Sequence, residues 1–266
     1  MGKTFKLGKL FGIQFGLHFS WFIIFILITA SLVHPDYSDW FSWFTAISTS
    51  LLLFASVVAH ELAHSLVGRA NGIPVKSITL FIFGGVAQMT REAARPGAEL
   101  KMAVAGPASS LIIGAFFSLL WLLLSDIMPG PIAVMLLGLA VINIGLALFN
   151  LVPGFPLDGG RVFRSILWYT TGNYIRSSRI AIRLGQGIGY LLMLGGIAII
   201  FLRPFGFTWF DGIWIAFIGW FLASIASISY RQINRQEELH SFTTPEAEAP
   251  HSSGSLPSGN DINQLN

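Results

Sequence analysis

Six runs of roughly twenty apolar residues constrain this chain more than any other feature, since each can cross about 30 Å of hydrocarbon as a helix. They cover approximately Phe15–Val33, Phe41–Val67, Leu100–Ser125, Ile132–Val152, Ile180–Leu202 and Trp209–Ser229. Inside a bilayer no water satisfies backbone polar groups, so such runs must close their own hydrogen bonds as helices. Composition agrees: 53% of the 266 residues are hydrophobic and 11% are charged, against about 25% charged in soluble domains. The expected fold is an all-α polytopic membrane protein. Its transmembrane core would span residues 1–230, followed by a polar tail over 231–266 rich in Ser, Pro, Gly, Glu and Asn and expected to be disordered.

The net charge of +3 is no nucleic-acid signal, because the basic residues flank the apolar runs and read there as topology determinants and lipid-headgroup contacts. Lys3, Lys6 and Lys9 precede the first run, and Arg231 and Arg235 follow the last. Arg69, Lys76, Arg91, Arg95 and Lys101 lie between runs two and three, and Arg161, Arg164, Arg176, Arg179 and Arg183 between four and five. The remaining connections carry Asp36, Asp39, Asp126 and Asp211 but only Arg203. The positive-inside rule therefore places both termini and the two basic loops in the cytoplasm. In the basic start no small-residue cleavage site stands out, so it is not expected to be a signal peptide. With no cysteine, disulfides and thiolate ligands are excluded.

The second run ends in His60-Glu61-Leu62-Ala63-His64. On a helix the two imidazoles leave one face about one turn apart, as a shared metal ion requires, and Glu61 can reach the same face. Neutral imidazole suits zinc, and a carboxylate beside the metal can take a proton from bound water. Short matches to this pattern arise by chance. Ionisable groups in or beside hydrocarbon are costly to place, however, so here the functional reading is the default. His18, at the start of the first run, reads as an interfacial histidine.

Two other stretches break the helical pattern. Residues 75–83 are β-branched and aromatic, Gly84-Gly85 follows, and residues 86–89 can return as a strand. This reads as a membrane-associated β-hairpin after helix two, with a surface loop carrying an apolar flap as the alternative. The fourth run leads into Asn150-Leu151-Val152-Pro153-Gly154-Phe155-Pro156-Leu157-Asp158-Gly159-Gly160-Arg161. Two histidines leave a catalytic zinc short of a third protein ligand. Among the acidic residues, Glu61 and Asp158 alone lie in or next to a cytoplasmic-side span and outside an evidently solvated loop, so Asp158 is the candidate ligand. A glycine pair after it would permit a sharp turn toward the metal. The alternative is that Asp158 caps a short helix starting near Arg161. Asn150 could donate to a developing oxyanion or hold substrate backbone, or bond between helices, as Asn143 is expected to do. Ala105-Gly106-Pro107-Ala108-Ser109-Ser110 and Gly185-x-x-x-Gly189 read as close helix packing.

Taken in order, the His60–His64 stretch, Phe83-Gly84-Gly85-Val86, Ala105-Gly106-Pro107 and Asn150 through Gly160 resemble the site-2 protease family over roughly residues 10–230, and most of all its six-span branch without a PDZ domain. The resemblance implies an intramembrane zinc endopeptidase. One zinc ion per chain would be held by His60, His64 and Asp158, with Glu61 as catalytic acid/base and Asn150 close to the metal. Water would reach the site from the cytosol, and the substrate would be a transmembrane protein in the lipid bilayer. A homo-oligomer is compatible with the sequence. In one respect the chain departs from many members: it ends in a short polar tail where they carry paired CBS domains. It is thus either a compact member or a shortened one, and adenine-nucleotide regulation has no support in it. A membrane metal transporter would need polar residues strung along several runs, and these are scarce. A catalytically silent binding protein is disfavoured by the intact Glu61. The serine and aspartyl intramembrane protease signatures are absent.

Overall fold

The computed structural model describes residues 4–33, 39–82 and 84–243. In chain order the elements are β1 (Thr4–Leu10), β2 (Ile13–His18), α1 (Phe19–Leu32), α2 (Asp39–Ala70), β3 (Val75–Phe81), β4 (Gly84–Met89), α3 (Pro96–Leu124), α4 (Gly130–Asn150), α5 (Asp158–Thr171), α6 (Tyr174–Leu202) and α7 (Trp209–Thr243), with one 3-10 turn at Pro204–Gly206. Among the described residues, five helical stretches are long and apolar enough to cross a membrane: Trp40–Ala70, Pro96–Leu124, Gly130–Asn150, Tyr174–Leu202 and Trp209–Arg235. The polytopic helical architecture and the hairpin after the second helix are both present.

The first apolar run divides in a way its hydropathy conceals. Its helix, α1, has 14 residues, about 21 Å at 1.5 Å per residue and short of a full crossing. The preceding residues form β2 instead. Ile13, Phe15 and Leu17 alternate with smaller or polar residues and are buried, the period-two signature of a strand with one face on a core. His18 ends the strand and caps the helix, its Nδ1 accepting from the Ser20 amide at 3.2 Å.

The expected two-stranded hairpin is half of a four-stranded sheet, in the order β1-β2-β3-β4. β1–β2 and β3–β4 are antiparallel, and the central β2–β3 pair is parallel. The parallel pairing needs a crossover, which α1 and α2 supply. Ile13, Phe15, Val75 and Ile78 pack with Val58 and Leu62 of α2. The sheet therefore lies against the same turns of α2 that carry His60 and His64, and among the described residues β1 and β4 are its two edge strands.

Small residues set the remaining contacts. A side chain at Gly114 would strike Ile144 and the Ala140 carbonyl, so α3 and α4 meet at backbone distance. Gly189, Gly196, Gly212 and Gly219 do the same for α6 and α7, and Gly185 abuts Phe155 in the turn before α5. The 185–189 glycines are thus packing residues, as their spacing suggests. Asn143 is buried, but its amide donates to Leu139 O at 2.8 Å within its own helix. In place of the interhelical bond expected of it, the side chain bonds the carbonyl four residues back, as Asn side chains do within helices. α7 stays helical through Thr243, past the start of the expected tail, and residues 244–266 lie outside the described residues.

The close α6–α7 contact gives a paired prediction. Gly196 faces the Ala216 backbone, whereas Gly195 faces open space. Gly196→Leu should destabilise the protein by about 1–3 kcal/mol through overpacking, read as a lower unfolding temperature in detergent. Gly195→Leu should stay within about 0.5 kcal/mol of the parent. Equal effects would contradict this packing.

Candidate metal centre

His60 and His64 stand one turn apart on α2, both 4% exposed. Their rings cross at 79° with centroids 4.8 Å apart, and their Nε2 atoms lie 3.2 Å from each other. Asp158, the first residue of α5, brings Oδ2 to 3.2 Å from His60 Nε2 and 3.1 Å from His64 Nε2. Three donor atoms on two elements nearly a hundred residues apart in sequence thus form an almost equilateral triangle. His60, His64 and Asp158 are also the group whose ligand atoms could hold a metal ion among the described residues.

The second nitrogen of each ring indicates how the first is used. His64 Nδ1 lies 2.6 Å from Met102 O. A carbonyl only accepts, so Nδ1 carries the proton and Nε2 presents a lone pair. His60 Nδ1 is 2.9 Å from Ser110 Oγ, which can donate or accept; the contact fixes the ring's direction, and with Nδ1 as the donor its Nε2 also presents a lone pair. Two lone pairs and a carboxylate oxygen facing one another require positive charge between them. A tetrahedral zinc with ligands at about 2.0–2.1 Å would separate its ligand atoms by about 3.3 Å, so the triangle fits zinc. The space is kept open from the other side by Gly106 of α3, where a Cβ would meet both Nε2 atoms.

Asp158 does not cap its helix. Leu157 holds the N-cap position, without a side-chain capping bond. Gly159 and Gly160 serve packing and not a sharp turn. Neither takes a positive φ, and a side chain on either would strike the backbone of residues 151–155.

A cavity of about 780 Å³ opens onto the triangle, lined among others by Glu61, Gly85, Asn150, Arg161 and Arg164. Glu61 lies against Gly85 of β4, where a Cβ would strike Glu61 Cγ. Gly85, and not its neighbour Gly84, thus lets the strand approach the glutamate. Asn150 reaches the cavity wall, with its Nδ2 donating to Leu146 O at 2.9 Å. His18 takes no part in the triangle.

Sequence reasoning missed one charged residue. Glu99 is not solvated: it is 1% exposed within α3, ion-paired with Arg164 of α5. Its signal lay in spacing. Glu99, Met102, Gly106 and Ser110 follow one another at three- and four-residue steps and are all buried in α3, forming a single stripe of that helix. Only its Gly106 and Ser110 half is visible in the sequence as a packing motif.

The profile of Peptidase family M50 matches residues 48–134 and 126–195. A Synechocystis protein provisionally named a zinc metalloprotease is 42% identical over 271 residues, covering 100% of this chain and 69% of its own length. A zinc metalloprotease of Methanocaldococcus jannaschii is 34% identical over 199 residues, covering 74% of this chain and 55% of its own length. The solved structure of the site-2 protease from Methanocaldococcus jannaschii superposes with a TM-score of 0.59 at 30% identity, over 86% of this chain and 95% of that one.

Gly106 provides the test of this geometry. Gly106→Ala should lower bound zinc from about one per chain to near zero, because its methyl group takes the ion's place. Metal analysis of the purified, monodisperse protein reads this directly. Full zinc occupancy in Gly106→Ala would contradict the arrangement.

Proposed function

The chain belongs to peptidase family M50, the site-2 proteases, and from that premise we propose that this membrane zinc metalloprotease cuts peptide bonds within or beside transmembrane segments of other membrane proteins. The observation that carries the reading is the triangle of His60 Nε2, His64 Nε2 and Asp158 Oδ2, with edges of 3.1–3.2 Å, set in a membrane-length helix beside an unligated glutamate. We assign His60, His64 and Asp158 to the metal and Glu61 to proton transfer.

Zinc bound there supplies a Lewis acid that polarises a carbonyl and makes water acidic enough to ionise near neutral pH. Glu61 stands on the cavity wall one residue from the first ligand. It accepts the proton of the water that adds to the scissile carbonyl carbon, then returns that proton to the amide nitrogen as the C–N bond breaks. The products are one new carboxylate and one new amine. Asn150 commits one amide hydrogen to Leu146 O, which leaves the other, and its carbonyl oxygen, for substrate backbone.

A helical substrate hides its carbonyls in its own hydrogen bonds and must unwind before attack. β4 ends the sheet and lines the cavity. An unwound segment can add to its outer edge as a fifth strand, satisfying backbone groups that lipid cannot. The basic loops support a cytoplasmic position for the termini; with water entering from that side, the products would part across the membrane, as in regulated intramembrane proteolysis.

Two outcomes test this reading. Glu61→Gln should retain zinc and lose about 10²–10⁴-fold in turnover on a single-span substrate. Retained turnover would remove Glu61 from proton transfer. Proline placed in turn at Val86, Ala87 and Gln88 should slow cleavage about tenfold or more at one or more positions, with zinc content unchanged. Parental rates at all three would rule out strand addition.

A further inference from the structure

The three ligands come from two helices, and a third helix holds them in register. α3 accepts the His64 Nδ1 hydrogen bond at Met102 O, contacts His60 Nδ1 at Ser110 Oγ and faces both Nε2 atoms at Gly106. His60 and His64 are therefore referenced to α3. The third ligand rides on α5, whose placement along α3 must be fixed by something else.

Arg164 supplies that link. Its Nε donates to Glu99 Oε1 at 2.8 Å, and its Nη2 donates to the same oxygen. Its guanidinium lies 5.7 Å from the centroid of the Phe155 ring and 4.9 Å from that of Tyr174. Phe155 stands in the turn that delivers Asp158, and Tyr174 opens α6. One buried cation thus holds the chain on both sides of the aspartate and ties it to the stripe of α3 that positions the imidazoles. Burial would depress the Arg164 pKa, but the Glu99 carboxylate more than offsets this and keeps the guanidinium firmly charged.

A buried ion pair is a poor device for stability alone, since well-packed apolar residues of similar size often do as well or better. What apolar residues lack is direction. We infer that Glu99 and Arg164 are positioning residues for the metal centre: their ion pair sets the axial placement of α5, so that the Asp158 carboxylate meets the two imidazoles. This rests on the assignment of His60, His64 and Asp158 to zinc.

The test separates geometry from folding. Arg164→Lys keeps the charge but loses the planar fork and the ring contacts. The double variant E99L/R164M removes both charges and keeps the volume apolar. Zinc affinity is measured by chelator competition on the purified full chain, unfolding temperature by a thermal scan, and ligand geometry by visible absorption of the cobalt(II)-loaded form. Outer contacts to a metal site commonly control 10–100-fold in affinity. Arg164→Lys should bind zinc about tenfold more weakly, and the double variant about 10–100-fold more weakly. Both should show an altered cobalt spectrum, with the double variant unfolding no earlier than the parent. Parental affinity and spectrum in either folded variant would overturn the inference, and Arg164→Lys alone decides it if the double variant does not fold. A parent that binds no zinc would instead sink the ligand assignment, and this inference with it.

Discussion

Three electron-rich atoms, two imidazole nitrogens and one carboxylate oxygen, lie 3.1–3.2 Å apart among buried side chains. Without positive charge at their centre this arrangement is repulsive, and burial strengthens the repulsion because little water is there to screen it. The packing of the chain is arranged around that constraint. α2 supplies two of the atoms one turn apart, and α5 supplies the third from its first residue. α3 is a backplate whose glycine leaves room for an ion and whose Met102 carbonyl and Ser110 hydroxyl aim the rings. The sheet completes the enclosure from the β4 side, where Gly85 allows the strand to press on Glu61.

The same placement reconciles hydrolysis with a membrane. A protease needs water and a flexible substrate backbone, and hydrocarbon offers neither. The cavity beside the triangle provides a polar enclave, and in the proposed mode of binding the edge of β4 would provide hydrogen-bonding groups for a strand that has left its helix. Close glycine contacts between α3 and α4, and between α6 and α7, let a bundle with little internal hydrophobic driving force hold together by backbone-distance packing.

Much of this was legible in the residues. The spacing of His60, Glu61 and His64 within an apolar run, and the isolated Asp158 beyond the break in the fourth run, mark the three donor residues that the fold brings together and the glutamate beside them. What stayed hidden depends on long-range contact. Ile13, Phe15 and Leu17 are apolar enough to pass for the start of a span, and only their pairing with residues 77–80 shows them to be a strand. The parallel union of β2 with β3 has no local signature, so four strands read as two. Gly159 and Gly160 suggested a turn because a lone glycine pair usually marks one. They are helical and serve the approach of the preceding loop. Glu99 looked like a loop charge because its partner, Arg164, is 65 residues away.

The account stands or falls on a single ion held by His60, His64 and Asp158. X-ray absorption at the zinc edge of the purified chain measures that directly. It should show a four-coordinate first shell at about 2.0–2.1 Å, with the multiple scattering of two imidazoles, dropping to one in His64→Ala or to an empty site. An unchanged two-imidazole signature in His64→Ala, or a parent protein in which zinc sees no imidazole, would contradict it.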